Sequence, residues 1–352
     1  MSYVGNEIKK LGLMKAYEFL DKDPEANLPR LVDWFDTYVP DGVLSLQRDL
    51  FRNIVTEKDT NWYNLLVSLW SDIDDDVRKA LFENLIINAN ALAAPKAKAS
   101  REKYGCNIPW AIAMGIEDNG QEGNLTFDEW DSVIEQAKEL GTFMFIFEGG
   151  DPLDSKEEII ALCNKHYDCE FMIFTDGTKI TEEFADEMIR VKNLIVTVRV
   201  TGTGEDLRLR ETTEILRRKK VPFSAYCFYN KDNQDRFSNE KFFDVMIENG
   251  VKMCLFFSSM DEEDDHVYEK IKEYRKTKPI VTINFCKDKD ITGGCVAGGR
   301  YFCSIDHAGN VEPCFFIKKS DSNVRSMTLL EALQAPLCMK YHDENVPCEA
   351  EM

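Results

Sequence analysis

The sequence predicts an α/β fold: a partial (β/α)6 barrel of the TIM type, flanked by an all-helical N-terminal domain and a small cysteine-rich C-terminal segment. Residues 1–100 show only helical periodicity. From residue 107 onward, short apolar runs alternate with amphipathic helical patterns, as is typical of parallel βαβ units. Five of the 11 cysteines fall within the last 60 residues. These observations divide the chain into domains at 1–100, 101–290 and 291–352.

The N-terminal domain is predicted to be helical because apolar residues recur along it at helical spacing. Its predicted helices are Glu7–Leu20, Leu28–Tyr38, Val43–Val55, Trp62–Ser71 and Asp75–Leu92. Residues 91–100 are rich in Ala and Lys and are predicted to be a linker. The chemistry of this domain does not follow from its sequence.

The barrel region alternates strands and helices. Its predicted strands are Ile108–Met114, Phe143–Phe147, Phe171–Phe174, Leu194–Val200, Pro222–Tyr229, Val251–Phe257 and Ile280–Phe285. The predicted helices between them are Thr126–Leu140, Ser155–Lys165, Glu182–Val191, Leu207–Lys219, Ser238–Asn249 and Asp265–Lys276. Right-handed winding of so many units gives an open or closed barrel. A doubly wound sheet is the alternative, but no Gly-x-Gly-x-x-Gly follows the first strand.

Composition excludes several classes of partner. The formal net charge is −20, with 63 acidic and 43 basic residues. Phosphate binding needs clustered Lys and Arg, so we expect neither nucleic acid nor an anionic membrane surface as a partner. No signal-peptide pattern and no run near the roughly 18 apolar residues of a membrane helix occur. We therefore expect a cytoplasmic protein whose cysteines do not form a disulfide framework.

One stretch, Phe143–Leu153, organises the predicted site. A buried apolar run ends there in two glycines, an acid and a proline. Gly149 and Gly150 let the backbone approach a ligand. Asp151 brings a charge to the carboxyl end of a strand, where α/β folds bind ligands, and Pro152 follows it. An ordinary βα turn would explain the same four residues.

The run Gly149-Gly-Asp-Pro152 resembles the Gly-Gly-Glu-Pro motif of radical S-adenosylmethionine (radical SAM) enzymes. Residues 101–348 as a whole resemble a radical SAM protein with a C-terminal SPASM-type segment. The resemblance implies that residues 149–152 meet the amino group of SAM, with Asp151 one methylene shorter than the usual Glu. It also implies a Cys-x3-Cys-x2-Cys motif after the first barrel strand, which would hold a 4Fe–4S cluster.

That cysteine motif is missing. The loop after the first predicted strand, residues 115–124, contains no cysteine. Cys106 precedes the strand, and the motif spacing counted from it falls on Trp110 and Ala113. We therefore predict no catalytic residue. SAM binding is doubtful as well, because Arg199 and Thr201 stand where the family offers a small polar residue and an acid. A cation beside a sulfonium is electrostatically unfavourable.

The C-terminal cysteines resemble a SPASM or twitch region holding an auxiliary 4Fe–4S cluster. A Gly-Cys-x-Ala-Gly run contains Cys295, a Glu-Pro-Cys run contains Cys314 and a late Pro-Cys contains Cys348. By this resemblance these three cysteines are the ligands, with Cys338 or Cys303 as the fourth. Zinc, which also takes four thiolates, is a lesser alternative. Buried free cysteines are another.

A hairpin is predicted within this segment from Tyr301–Ile305 and Asn310–Glu312. It would place Cys303 roughly across from Cys314, with Cys295 near its base. The ligands of one cluster must lie close together, so we expect these three cysteines to be neighbours in space.

Two functions from different classes follow. The first is a diverged radical SAM/SPASM-like protein, a pseudoenzyme that cannot cleave SAM and acts as a binding or scaffold partner for a peptide or protein. The alternative is an active radical SAM/SPASM-type enzyme that modifies a peptide or protein and draws its cluster ligands from elsewhere in the chain.

Overall fold

One sheet forms the centre of the molecule. The computed structural model describes residues 3–30, 60–116, 123–201, 207–258, 265–284, 287–288 and 295–342. The strands are β1 (Ala111–Gly115), β2 (Met144–Glu148), β3 (Glu170–Thr175), β4 (Leu194–Arg199), β5 (Phe223–Phe228), β6 (Met253–Phe257), β7 (Val281–Asn284), β8 (Phe302–Ile305) and β9 (Val311–Glu312).

The strand order confirms the predicted architecture. The sheet runs β7-β6-β5-β4-β3-β2-β1-β8-β9, so the first seven strands are neighbours in chain order. Each pairs in parallel with the next. β8 extends the sheet in parallel beyond β1, and β9 pairs antiparallel with β8. Successive right-handed crossovers place the helices on one face. The result is a partial (β/α) barrel whose described crossover helices pack against its outer face.

The helices follow the predicted pattern closely. Before the barrel lie α1 (Tyr3–Lys22), α2 (Asn61–Asp72), α3 (Asp75–Leu81), a π-helix (Phe82–Leu92) and α4 (Ala93–Tyr104). The barrel helices are α5 (Phe127–Leu140), α6 (Lys156–Lys165), α7 (Glu182–Val191), α8 (Leu207–Arg218), α9 (Gln234–Phe237), α10 (Glu240–Glu248) and α11 (His266–Thr277). The C-terminal segment contains α12 (Leu329–Leu333) and α13 (Pro336–Met339), and 3-10 turns occur at Pro152–Ser155 and Lys340–His342.

Among the N-terminal residues, one prediction is contradicted by the structure and two others fall largely outside the described residues. The predicted linker at 91–100 is wrong, because α4 occupies most of it. Ala and Lys are strong helix formers, and α4 continues to Gly105, whose φ of 67° ends it. The predicted helix 43–55 and most of 28–38 lie outside the described residues, although residues 24–30 are helical.

Helix α5 shows how local sequence fixes an element. Its predicted capping box is present, with the Thr126 and Glu129 side chains each bonded to the other's backbone N–H. Gly141 ends the helix at φ 108°, and a Cβ there would lie 2.6 Å from the Ala97 nitrogen. Glycine is therefore required both by the turn and by the close approach of α4.

The sheet separates two apolar cores. Outward-facing strand residues pack beneath the crossover helices, and inward-facing ones such as Ile146, Met172 and Leu255 form a smaller core on the inner face. Leu81 and Leu85 of the N-terminal helices pack against this inner core. Among the described helices, none combines the length and apolar character needed to span a bilayer.

The N-terminal helices reach the amino ends of the barrel strands. The side-chain amides of Asn84 and Asn88 donate to the carbonyls of Cys169 (3.1 Å) and Asp168 (2.9 Å), just before β3. The Lys252 ammonium, just before β6, lies 2.6 Å from an Asp72 carboxylate oxygen. Since the leucines also pack inside, these helices close the amino-terminal mouth of the barrel.

Candidate ligand-binding site

A cavity of about 510 Å³ opens at the opposite mouth, where β2 to β6 end. Volumes of this size suit a small ligand or part of a peptide. Its wall is largely aromatic, with a few polar groups. The lining residues are Ile146, Glu148, Phe174, Arg199, Phe228, Tyr229, Asn230, Asn233, Phe257, Ser258, Phe315 and Phe316.

The predicted Gly-Gly-Asp-Pro run lies at this mouth, directly after β2. Gly149 has φ 138° and is exposed, and no atom lies within 4 Å of a Cβ built on Gly150. Pro152 is buried in the following 3-10 turn. The run therefore presents open backbone beside the carboxylate of Asp151.

The two oxygens of the Asp151 carboxylate differ in their hydrogen bonding. Oδ1 of Asp151 accepts hydrogen bonds from the Thr175 hydroxyl (2.9 Å) and the Leu153 N–H (3.2 Å). Oδ2 is buried and accepts no hydrogen bond, although the Lys179 ammonium lies 3.8 Å away. A buried acceptor left without a hydrogen bond costs free energy. A ligand ammonium would supply that bond.

Arg199 occupies the β4 side of the cavity. Its side chain is exposed, and its guanidinium carbon lies 5.8 Å from the ring centroid of Phe228. Burial raises the pKa of the neighbouring Tyr226 to about 12. The positive charge of Arg199 opposes that shift, and the carboxylates of Asp151 and Asp176 add to it. Arg199 thus shares the mouth with several acids.

A second charged group joins β2 to the C-terminal hairpin. Glu148 accepts a hydrogen bond from the Ser304 hydroxyl at 3.2 Å, and the Lys318 ammonium lies 3.8 Å from the same oxygen. Lys318 also lies 3.1 Å from Glu312, whose pKa burial raises. The hairpin therefore supplies both charge and, through Phe315 and Phe316, part of the cavity wall.

The hairpin register corrects the expected cysteine pairing. Ser304 pairs with Glu312, so Cys303 is not opposite Cys314. Cys303 points into the core beneath the helices, whereas Cys314 and Cys295 belong to a separate small apolar cluster. Continued by one residue, this register places Pro313 opposite Cys303, and a one-residue shift reverses the face of a side chain.

The other two predicted metal ligands, Cys338 and Cys348, do not lie with Cys295 and Cys314 among the described residues. Cys338 lies with Cys303 in the main core, and Cys348 is outside the described residues. Burial raises the pKa of the Cys338 thiol to about 12. In the parts of the chain that the structure describes, no group of three His, Cys, Asp or Glu side chains is arranged to hold a metal ion. Cys295 and Cys314 share one small cluster, and Cys303 and Cys338 lie near each other in the main core.

The residues after β1 do not fit a catalytic 4Fe–4S cluster. Cys106 is fully buried and lies before the amino end of β1, at the mouth opposite the cavity. After β1, a Cβ at Gly115 would lie 3.1 Å from Asp306 of the hairpin turn. The Leu125 N–H donates to the His307 carbonyl at 2.7 Å. The hairpin turn thus covers this strand end, and residues 117–122, which also lack cysteine, lie outside the described part.

Comparison with known proteins adds to this geometry. No family model matches the chain. The chain is 23% identical over 289 residues to the AdoMet-dependent heme synthase of Methanosarcina barkeri, covering 68% of this chain and 82% of that protein. This similarity supports the resemblance to the radical SAM superfamily.

Solved structures share the fold at low identity. SuiB of Streptococcus suis bound to S-adenosylmethionine matches with a TM-score of 0.55 and 14% identity, over 71% of this chain and 72% of SuiB. Native anSMEcpe with bound AdoMet and Cp18Cys peptide matches with a TM-score of 0.50 and 15% identity, over 66% of this chain and 82% of that one. These matches show that the fold is the partial-barrel type of those structures.

The sequence pattern missed much of the wall of the cavity. Phe174, Phe228 and Phe257 each stand at or next to the end of a strand, and Phe315 and Phe316 follow Cys314 directly. Aromatic residues at the carboxyl ends of successive parallel strands are a signal that could have located the wall. The role of Lys318 had no such signal, because it depends on where the hairpin docks.

Proposed function

We propose that this chain is a diverged radical SAM-like protein that does not cleave SAM and that binds a ligand in the cavity at the carboxyl ends of β2 to β6. One observation carries the proposal. The cavity of about 510 Å³ is present, whereas residues 115–124 offer no thiolate beside it. Without three thiolates no site-differentiated cluster is held at this strand end. Binding therefore remains as the activity of the site.

A peptide or protein segment is the ligand class that this proposal favours. SuiB has been solved with its precursor peptide SuiA and matches this chain with a TM-score of 0.51 and 13% identity. The anSMEcpe structure likewise holds a peptide. The cavity here opens at one mouth of the barrel, where an extended segment has access from solvent.

The test is a product assay. The protein is reconstituted anaerobically with iron and sulfide, reduced, and incubated with SAM, and 5′-deoxyadenosine is measured by mass spectrometry. We expect no 5′-deoxyadenosine above a matched sample that lacks protein. Turnover that requires the folded protein and the reductant would overturn the proposal.

The active-enzyme alternative rests on a specific observation at Asp151. Its buried Oδ2 accepts no hydrogen bond and lies where the resemblance places the amino group of SAM. In that alternative Asp151 holds SAM, whose bound sulfonium would be the group reduced. Asp151→Asn would then abolish product, whereas our proposal expects none from either protein.

We further propose that Cys295, Cys314 and Cys348 hold an auxiliary 4Fe–4S cluster, and that the two expected fourth ligands, Cys338 and Cys303, stay in the main core instead. The proximity of Cys295 and Cys314 supports this, and zinc is the alternative metal. Iron, sulfide and zinc are counted after reconstitution of wild type and Cys314→Ala, with Cys227→Ala as a control for a buried thiol on β5. About four irons per chain, lost only in Cys314→Ala, would support the cluster. Zinc alone, or no metal, would contradict it.

A further inference from the structure

The charges in the cavity are not evenly distributed. Arg199 faces it from β4, and no carboxylate of the described residues forms an ion pair with the Arg199 guanidinium. Glu148 faces it from β2 and already has Ser304 and Lys318 as neighbours. Arg199 is therefore an exposed cation at the cavity wall that forms no ion pair with a carboxylate in the described part of the chain. It is the group most able to gain from a ligand.

We propose that the cavity selects an anion carried on a flat apolar group, and that Arg199 is the residue that recognises the anion. The ligand would be an aromatic carboxylate, either free or formed by an acidic side chain beside an aromatic one in a peptide. This inference rests on the proposed binding function and names the chemistry of its ligand.

The contact of Arg199 with Phe228 prepares it for this role. Its guanidinium carbon lies 5.8 Å from the Phe228 ring centroid, within the range of a cation–π contact. A guanidinium in a cation–π contact can still donate hydrogen bonds from its N–H groups. The edge of the guanidinium matches the two oxygens of a carboxylate. Because the side chain is partly ordered beforehand, less conformational entropy is lost when the anion binds.

The aromatic wall is suited to a flat group. Phe228 and Phe257 pack with ring centroids 5.3 Å apart, and Phe316 lies 5.3 Å from Phe257 and 6.2 Å from Phe228. Phe228 itself is 39% exposed. Such rings favour offset or edge-to-face contacts with another aromatic ring. An apolar ring placed here would cover the exposed face of Phe228 beside the guanidinium.

The acidic residues at the cavity mouth determine which way the ligand's carboxylate would point. Glu148 ends β2, Asp151 follows β2 and Asp176 follows β3, so these acids lie on the side of the cavity formed by those two strands. Strands β2 and β4 are two spacings apart, about 10 Å across the sheet. A carboxylate would therefore lie toward β4 and β5, away from these acids. A ligand of the opposite polarity, with a cation beside Arg199, would be repelled.

The experiment compares matched ligand pairs. One pair is 3-phenylpropionate and its neutral amide, and the other is acetyl-Phe-Glu-amide and acetyl-Phe-Gln-amide. Affinities are measured by titration calorimetry or ligand-observed NMR with the full-length protein. The variants are Arg199→Gln, Arg199→Lys, Phe228→Ala and a control, Arg210→Gln, whose exposed side chain is on α8. Circular dichroism checks that each variant remains folded.

For wild type we expect the charged member of at least one pair to bind roughly 10-fold or more tightly than its neutral partner. Arg199→Gln should remove this preference, Arg199→Lys should keep part of it, and Arg210→Gln should not change it. Phe228→Ala should weaken both members of a pair. The pair that shows the preference distinguishes a free ligand from a peptide.

Equal affinity within both pairs, or a preference that survives in Arg199→Gln, would overturn the inference while leaving a binding function in place. Failure of every probe to bind wild type at millimolar concentration would overturn it too. The proposed function fails on a different result, the formation of 5′-deoxyadenosine, so the two failures are distinguishable.

Discussion

Glu158 on α6 is a buried acid whose protonation state couples pH to stability. Burial raises its pKa from 4.5 to about 7. Between these values the folded protein holds more protons than the unfolded chain, so the free energy of unfolding falls as pH rises across that window. Glu158→Gln should remove this decrease in the free energy of unfolding. At about 1.4 kcal/mol per pKa unit, the decrease amounts to up to about 3 kcal/mol above pH 7.

Urea unfolding on both sides of that window measures the effect. Glu157→Gln is the matched control, because Glu157 is the neighbouring residue on the same helix and its side chain is exposed. The two variants should differ little from each other in acid and clearly at neutral and alkaline pH. A wild-type profile that stays flat between the two pKa values would contradict the assignment.

Arg78 is a second buried charged residue, and its replacement should lower the free energy of unfolding. Only 6% of its side chain is exposed, and it donates to Asp21 (2.7 Å), Asp75 (2.9 Å) and the Tyr17 hydroxyl (3.1 Å). Arg78→Met should lower the free energy of unfolding by about 2 to 3 kcal/mol, because partners within the helical region lose their donor. Arg190→Met, which breaks an exposed pair with Glu187, should cost less than about 1 kcal/mol. Thermal melts showing equal losses would contradict this.

At the scale of elements, the docking of the C-terminal segment depends on Gly298. Its φ is 60°, and a Cβ there would overlap Tyr341 and lie 2.8 Å from the Cys338 carbonyl oxygen. Gly298→Ala should destabilise the protein by more than about 1 kcal/mol, because both strain and overlap oppose it. Gly12→Ala in α1 meets no atom within 4 Å and should be neutral or slightly stabilising. Hydrogen exchange of β8 amides would locate the effect.

Elements were predictable where one local pattern dominates. The apolar runs of β2 and β6, and the capping box at Thr126, predicted the observed elements to within two residues. The linker expected at 91–100 failed because its helix is fixed by helix-forming composition and by contact with Gly141. At the site, the position of Asp151 followed from its strand. The pairing of Glu148 with Lys318 did not, because it arises from a hairpin that docks more than 150 residues later in the chain.

At the scale of the whole molecule, the N-terminal helices belong to the barrel structurally. Leu81 and Leu85 pack against the inner core, and Asn84 and Asn88 bond the turn before β3. A chain that begins at Ala93 should therefore lose cooperative thermal unfolding and aggregate, because it exposes the inner core at the amino-terminal mouth. A truncated chain that is monomeric and melts like the full protein would contradict this account.

The central claim is that this barrel has lost its SAM-cleaving cluster while keeping a binding cavity. The most direct measurement is electron paramagnetic resonance of the reconstituted, reduced protein with and without SAM. SAM that ligates an iron changes the spectrum of that cluster. We predict either no cluster signal or a signal that SAM leaves unchanged, as expected for a cluster held by the C-terminal cysteines. A spectrum that changes on adding SAM would show a cluster with an open iron, and would contradict the account.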